Sequence, residues 1–255
     1  MFLSKLTLNT RNLKVRRDVA DCYQLHRTIL SAFEDIRDKI SGARKTLNVL
    51  YRLSNYNQMN IYTLLVQSSS KPDWTRLPEN YCANNTIKHR SSSCIEIKDI
   101  SALLNAFEEG MELRFRLLAN PTKKIGSTTK EERLAGKKKV SGKRVPLTAE
   151  YEKISWLKRK GEHHGFSIKA LKLDKSVPNL TTKKQVKYTG YKKIYEQKQA
   201  EGQKSKRYRK IDFQGVLYEG ILQITNTDDF KSGIVNGIGP GKAFGFGLLS
   251  VAHIN

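Results

Sequence analysis

Acidic residues are scarce in this sequence. Its 255 residues include 24 Asp and Glu against 47 Lys and Arg, which gives a formal net charge of +23. Repulsion on this scale is costly unless a polyanion neutralises it, so nucleic acid is the leading candidate partner. Hydrophobic residues still make up 38% of the chain, which is enough for a folded core and argues against wholesale disorder.

Long apolar runs and cysteines are also few. No stretch of about 20 apolar residues is present to span a bilayer, and Lys5 interrupts the N-terminus too early for a signal peptide. The three cysteines are odd in number and fit no metal-ligand spacing, which is typical of reduced thiols in a cytoplasmic protein. His163 and His164 are adjacent, so on a helix they diverge by about 100° and do not favour a shared metal. We expect a cytoplasmic protein that does not associate with membranes and needs no metal or other cofactor.

The basic residues are concentrated in two segments. Residues 121–144 carry a net charge of +7 and residues 183–210 carry +9, so together they hold +16 of the total. The second segment also contains four tyrosines, and interleaved cations and aromatic rings can bind phosphates and stack on bases. A solvated hairpin is the alternative. Candidate nucleic-acid contacts lie in these two segments, in the helix predicted between them and in a C-terminal glycine-rich stretch. They are Lys123, Lys124, Lys158, Arg159, Lys160, Lys192, Lys193, Arg207, Arg209 and Lys242.

The order of strand and helix patterns is the same in both halves of the chain. In the first half, strand patterns lie at 2–8, 46–53, 60–67 and 94–99, and helices run from a cap at Asp18 to about Arg37 and at 73–81. In the second half, strand patterns lie at 111–119, 166–173, 211–224 and 244–252, and helices at 148–161 and 228–236. Each half has the order β-α-β-β-α-β. The sequence therefore predicts an α+β protein with two tandem ferredoxin-like domains and antiparallel sheets, at residues 1–100 and 111–255, joined by a linker helix at 101–110.

A glycine-rich stretch lies at residues 237–247. It does not match a P-loop, because an asparagine occupies the place of that motif's first glycine and Ala243 follows Lys242. Its N–H groups, together with Lys242, can approach a phosphate backbone. A turn with only a packing role is the alternative. Gly245 and Gly247 are expected on one face of the last strand, where they allow another element to approach closely.

The first helix carries Tyr23, His26 and Arg27 in the run Y-Q-L-H-R. Tyr23 precedes His26 by three residues, so the two side chains are neighbours on the helix surface. RNA cleavage needs a group to take the 2′-OH proton, a group to protonate the leaving 5′ oxygen, and cations near the phosphate. A histidine with a pKa of about 6.5 suits either proton transfer. His26 also falls within the apolar stripe of the helix, so periodicity alone favours the alternative of a core histidine beside a core tyrosine.

Several motifs resemble one family along nearly the whole chain. They are M-F-L-S-K-L-T-L at 1–8, Y-Q-L-H-R at 23–27, L-L-V-Q at 64–67, P-D-W at 72–74, F-R-L-L-A-N-P-T-K at 115–123 and G-I-G-P-G-K-A-F-G-F-G-L-L-S at 237–250. Together they resemble the CasE proteins, the CRISPR-associated endoribonucleases of type I-E systems. The basic insert at 183–210 is longer than the family pattern, and it enlarges the expected RNA-binding surface.

The resemblance implies two ferredoxin-like domains and metal-independent cleavage of precursor CRISPR RNA at the base of each repeat hairpin. It implies that the substrate's 2′-OH attacks, and that Tyr23 and His26 are catalytic in roles left open. The implied partners are the repeat hairpin, in precursor and in mature crRNA, and other subunits of Cascade; the free protein is expected to be a monomer. A non-catalytic structural RNA-binding protein fits the charge distribution equally well. A DNA-binding regulator lacks support, since no helix-turn-helix or zinc pattern is present.

Overall fold

The computed structural model describes residues 1–34, 47–56, 61–83, 93–126, 130–138, 142–170, 178–184, 188–197 and 204–254. The helices are α1 (Leu13–Ala20), α2 (Cys22–Leu30), α3 (Ser101–Asn105), α4 (Lys130–Leu134), α5 (Glu150–His163) and α6 (Thr227–Asn236). The strands are β1 (Phe2–Leu8), β2 (Leu50–Tyr56), β3 (Ile61–Ser68), β4 (Ile95–Asp99), β5 (Glu112–Ala119), β6 (Thr122–Ile125), β7 (Lys143–Pro146), β8 (Phe166–Ile168), β9 (Leu180–Lys184), β10 (Tyr188–Gln197), β11 (Lys204–Phe213), β12 (Val216–Ile224) and β13 (Leu249–His253). Short 3₁₀ turns lie at Trp74–Arg76 and Lys242–Phe244. None of the helices in the described ranges is long and apolar enough to cross a membrane.

The first sheet has the strand order β2-β3-β1-β4, and its neighbours are antiparallel. Along β1, Leu6 and Leu8 are buried while Lys5 is exposed, so one face packs on a core and the other meets solvent. Helices α1 and α2 lie between β1 and β2 in the chain; α1 contributes Val15 to that core, and α2 contributes Leu25 and Ile29. This is the strand order of a ferredoxin-like domain, as predicted.

The second sheet repeats the same order as β13-β5-β12-β8, with β9 also pairing with β12. Helices α5 and α6 cover its buried face with Trp156 and Phe230. The predicted α+β class with two antiparallel ferredoxin-like sheets is therefore confirmed. Phe107, which follows α3, packs into the second core. The division of the chain at residues 100–111 stays a prediction.

Both basic segments form additions to the second sheet's domain. The first contains the β6–β7 hairpin and α4, and the second contains the β10–β11 hairpin. In the second, ten residues of β10 pair with ten of β11, so this ribbon is a two-stranded sheet of its own. The charged segments thus lie outside the two main sheets, and the cores of those sheets stay apolar.

The prediction of one helix from Asp18 to Arg37 is wrong, because the helical region begins before Asp18 and is divided into α1 and α2. Asn12 caps α1 by accepting hydrogen bonds from the backbone N–H groups of residues 14 and 15, and Asp18 lies buried inside this helix. Asp21 then leaves the helical conformation, at φ −132° and ψ 100°, and caps α2 by accepting from the N–H of Tyr23. A carboxylate that bonds the backbone in this way competes with helix continuation. The predicted end near Arg37 lies outside the described residues.

Several other predicted elements differ from the structure. The strand predicted at 46–53 begins only at Leu50, the strand predicted at 166–173 ends at Ile168, and the linker helix predicted at 101–110 ends at Asn105. The helix at 73–81 is reduced to a 3₁₀ turn, since Pro78 disfavours a helical residue before it. The strand at 211–224 is two strands: β11 belongs to the basic hairpin and β12 to the main sheet. The last strand begins only at Leu249, because Gly245 and Gly247 have φ of +86° and +90°, in the left-handed region that a strand excludes.

Candidate active site

Tyr23 and His26 lie one turn apart on α2. Tyr23 is half-buried in the first turn, the His26 side chain is 8% exposed, and Arg27 is exposed. Residues at i and i+3 have Cβ atoms about 5–6 Å apart, so the predicted neighbours are together on one face. The low exposure of His26 fits a core role as well as a catalytic one, so the surroundings of the helix decide between them.

The glycine-rich loop packs directly against α2. Its 3₁₀ turn at Lys242–Phe244 contacts both α2 and β2. Gly241 and Gly245 flank this turn with φ of +87° and +86°, which allows the chain to reverse twice within a few residues. A Cβ atom on Gly245 would lie 3.0 Å from the Tyr51 ring, so the loop packs tightly on this ring. The loop therefore has a packing role, and it also brings Lys242 to the edge of α2.

Several basic groups crowd together beside this loop. Burial lowers the pKa of Lys242, and the charge of Lys160 in the last turn of α5 lowers it further. Burial also lowers the pKa of His164 to about 4, with added contributions from His163, Lys160 and Lys242. Charges affect each other's pKa in this way only when they are close together. The two candidate contacts Lys160 and Lys242 therefore lie in one region of the surface. A concentrated positive field there attracts a phosphate.

The basic hairpin rests on the same helix. Strand β10 contacts α1 and α2. Its Gly190 is so close to α2 that an added Cβ atom would lie 3.0 Å from Cys22 Sγ and 3.7 Å from Tyr23 Cβ. On the other strand, the Phe213 ring lies 4.7 Å from Phe244 in the glycine-rich loop. The hairpin is thus held at its base against both parts of the candidate site.

The remaining candidate contacts are distributed over the second domain. The hairpin register pairs Lys192 with Arg209, Lys193 with Tyr208, and Ile194 with Arg207. Lys124, Lys158 and Arg159 are exposed on β6 and α5. Lys123 differs from them, since its Nζ lies 2.7 Å from Glu152 Oε1. This hydrogen-bonded ion pair raises the pKa of Lys123 and lowers the pKa of Glu152, so much of the lysine's charge is already balanced.

A buried carboxylate holds α2 in place. Asp18 is 0% exposed, and its Oδ2 accepts hydrogen bonds from the Thr28 hydroxyl at 2.7 Å and the Tyr81 hydroxyl at 2.9 Å. Lys14 donates to its Oδ1. Because Thr28 lies on α2 and Tyr81 lies in the connection between β3 and β4, one side chain joins three separate segments. Sequence inspection missed this role, since it treated Asp18 as a helix cap.

Tyr51 on β2 was also missed. Its ring stacks on the His26 imidazole, with centroids 6.0 Å apart and planes inclined by 18°. Its hydroxyl donates to the Cys22 carbonyl at 3.0 Å. The strand pattern at 46–53 predicted only that alternate residues there face a core, and no local signal connects that strand to α2.

A separate cleft of about 530 Å³ lies along β5, β12 and β13 of the second sheet and reaches β2 at Arg52. Arg52 lines it, and since successive strand residues point to opposite faces, it lies away from Tyr51 and His26. Arg114 and Arg116 also line the cleft, and Arg116 pairs with Glu219 there. Neither residue of the predicted catalytic pair lines this cleft.

The described residues contain no cluster of three or more His, Cys, Asp or Glu that would hold a metal ion. Cys22, Cys82 and Cys94 are free thiols. Burial, and then the charge of Asp21, raises the pKa of Cys22 to about 12. Burial, and then the neighbouring Cys94, raises the pKa of Cys82 to about 12. Neither thiol is a nucleophile near neutral pH.

Comparison with known proteins identifies the family. The model of a family described as CRISPR associated protein matches residues 1–253. The chain belongs to this family. It is 31% identical, over 99% of its length and 100% of the relative's, to the CRISPR-associated endoribonuclease Cse3 of Thermus thermophilus. It is 28% identical, over the full length of both chains, to the CRISPR system Cascade subunit CasE of Escherichia coli.

The fold of the family is the fold described above. A solved structure of Thermus thermophilus Cse3 bound to an RNA representing a pre-cleavage complex superposes with a TM-score of 0.69 and 28% identity. The match covers 98% of this chain and 98% of that one. The likeness thus includes both ferredoxin-like sheets.

Proposed function

We propose that this protein is a CRISPR RNA endoribonuclease that cleaves precursor crRNA at the base of each repeat hairpin and stays bound to the mature crRNA as a Cascade subunit. One observation carries the proposal: Tyr23 and His26 share a face of α2, and both the glycine-rich loop and the basic hairpin pack against that helix. A purely structural RNA-binding protein has no need of a tyrosine–histidine pair at this junction. The relatives' names, an endoribonuclease and a Cascade subunit, support the same function.

The chemistry is an internal transesterification. The 2′-OH upstream of the cut attacks the adjacent phosphorus, the O2′–P bond forms, and the P–O5′ bond breaks. One group takes the proton of the 2′-OH and another gives a proton to the leaving 5′ oxygen, so the products are a 2′,3′-cyclic phosphate and a 5′-hydroxyl end. Tyr23 and His26 supply these two transfers, and either residue can be the base or the acid. Nearby lysine and arginine side chains balance the charge that develops on the phosphate, so the proposed mechanism requires no metal ion.

The proposed RNA contacts surround this pair. Lys242 and Lys160 share the positive region beside the glycine-rich loop, and the hairpin begins beside Tyr23. The full proposed set is Arg27, Lys123, Lys124, Lys158, Arg159, Lys160, Lys192, Lys193, Arg207, Arg209 and Lys242. Lys123 is the weakest member because Glu152 already balances its charge. A cytoplasmic location and a monomeric free state complete the proposal, and the free cysteines are in keeping with a reducing compartment.

The test separates catalysis from binding. His26→Ala should retain its affinity for repeat RNA and lose about 10²–10⁴-fold in single-turnover rate, since general acid–base groups contribute rate enhancements of that order. His253→Ala is the control, because His253 is exposed at the end of β13 and should have no effect. Repeat RNA with a 2′-deoxyribose upstream of the cut should bind and stay intact.

The core-histidine alternative gives a different pattern. It predicts that His26→Ala lowers the melting temperature and weakens RNA binding in parallel with cleavage. A folded His26→Ala protein that cuts at the wild-type rate would exclude the proposed mechanism. Tyr23→Phe then reports on the second proton transfer, with a loss comparable to His26→Ala if the tyrosine hydroxyl moves a proton.

A further inference from the structure

Tyr51 lies where β2, α2 and the glycine-rich loop meet. Its side chain is 1% exposed. Its hydroxyl donates to the Cys22 carbonyl of α2 at 3.0 Å and lies 3.4 Å from the Ala243 carbonyl of the loop. A phenol has one hydrogen to donate, so the shorter contact is its principal hydrogen bond. One side chain of the first domain is thus in contact with a helix of its own domain and a loop of the other.

The hydrogen bond to Cys22 bears directly on His26. In an α-helix the N–H of a residue bonds to the carbonyl four positions earlier, so the Cys22 carbonyl is also the acceptor for the His26 N–H. The Tyr51 hydroxyl occupies the second lone pair of that carbonyl. The same tyrosine's ring stacks on the His26 imidazole. Tyr51 therefore holds the histidine at its backbone and at its ring.

The helix needs such support. Helix α2 has nine residues, and helices of this length are marginal without tertiary contacts. We propose that Tyr51 is a positioning residue, which fixes the orientation of the His26 imidazole relative to the glycine-rich loop. This inference rests on the proposed role of His26 in proton transfer. Because Tyr51 is buried, its effect on cleavage passes through His26.

Tyr218 provides a closely matched control. It is 0% exposed, its hydroxyl donates to the Lys153 carbonyl at 3.1 Å, and its ring stacks on Trp156 with centroids 6.2 Å apart and planes inclined by 14°. Tyr51→Phe and Tyr218→Phe thus delete the same kind of buried hydrogen bond beside the same kind of stack. Under single-turnover conditions at saturating repeat RNA, Tyr51→Phe should slow cleavage about tenfold to hundredfold, because small misplacements of catalytic groups cost that much. Tyr218→Phe should cut at the wild-type rate, and both variants should bind RNA like wild type.

A double-mutant cycle shows whether the effect passes through His26. In a His26→Ala background, Tyr51→Phe should cause no further slowing, since the group it positions is gone. Equal rates for Tyr51→Phe and Tyr218→Phe, or losses that multiply in the cycle, would overturn the inference. If His26→Ala itself cuts normally, the proposed function fails instead, so the two failures are distinguishable.

A second variant disturbs Tyr51 without changing it. In Gly245→Ala the new methyl group would meet the Tyr51 ring at 3.0 Å. Gly110→Ala is the matched control, because Gly110 has a similar φ of +82° and nothing within 4 Å of the added atom. Gly245→Ala should slow cleavage and Gly110→Ala should not. Equal rates for these two would also contradict the inference, even if Tyr51→Phe failed to fold.

Discussion

Replacing Asp18 with alanine should destabilise the protein strongly. The substitution leaves the Thr28 and Tyr81 hydroxyls without their acceptor and removes the carboxylate that pairs with Lys14. Hydrogen bonds to a charged group contribute about 1.5–3 kcal/mol each, but such contributions are not additive and Lys14 can be rehydrated. Two hydroxyls lose their charged acceptor, so we expect Asp18→Ala to cost about 3 kcal/mol, the lower end of the sum of these two contributions. Equilibrium unfolding in urea measures it directly.

Asp73→Ala is the matched control for Asp18→Ala. Asp73 also accepts a hydrogen bond from a threonine hydroxyl, that of Thr75, and pairs with Arg76 at 3.1 Å, but all three groups are exposed. Water replaces these contacts when the carboxylate is removed, so Asp73→Ala should destabilise much less than Asp18→Ala. Equal losses for the two variants would refute the reasoning from burial.

Tyr81→Phe measures how much one of the hydrogen bonds to Asp18 contributes to the free energy of unfolding. It removes one of the hydroxyls that donate to the carboxylate and should cost about 1.5–3 kcal/mol. Combined with Asp18→Ala it should add less than it costs alone, because both variants delete the same hydrogen bond. Full additivity would show that the Tyr81–Asp18 contact contributes nothing to stability.

Three other outcomes are expected. Cleavage of repeat RNA should proceed in EDTA at an undiminished rate, and a requirement for added magnesium would contradict the proton-transfer mechanism. Replacing Lys192, Lys193, Arg207 and Arg209 with Gln should reduce the slope of log K against log salt by about three, since each phosphate contact contributes about 0.7–0.9; an unchanged slope would show that the hairpin does not bind RNA. Because burial holds the pKa of His164 at about 4 in the folded protein, below its ordinary 6.5, the unfolded chain takes up the proton first. The free energy of unfolding should therefore decrease as the pH is lowered from about 6.5 to about 4. His164→Gln should make this decrease smaller, which urea unfolding at a series of pH values would measure.

Much of the fold follows from local patterns in the sequence. Alternating residues such as Leu6 and Leu8 predicted β1 within its observed bounds, and the same kind of pattern located most other strands. The pairing of Tyr23 with His26 was also predictable, because neighbours three residues apart on a helix need no tertiary information. The two basic segments were visible from charge alone, since they form hairpins attached to the sheets and their composition is not constrained by a core.

The tertiary structure decided which residue caps a helix and which residues meet across a packed interface. Asp18 and Asp21 are both suited to cap a helix, and the choice between them depends on where the Thr28 and Tyr81 hydroxyls lie after folding. Periodicity shows that Tyr51 and His26 each face a core, but it does not show that they face each other. The contact of Gly190 with Cys22 likewise joins a hairpin of one domain to a helix of the other. Local patterns record how a segment bonds to itself and which of its faces is apolar; the partner across a packed interface depends on shape and on the whole chain's topology.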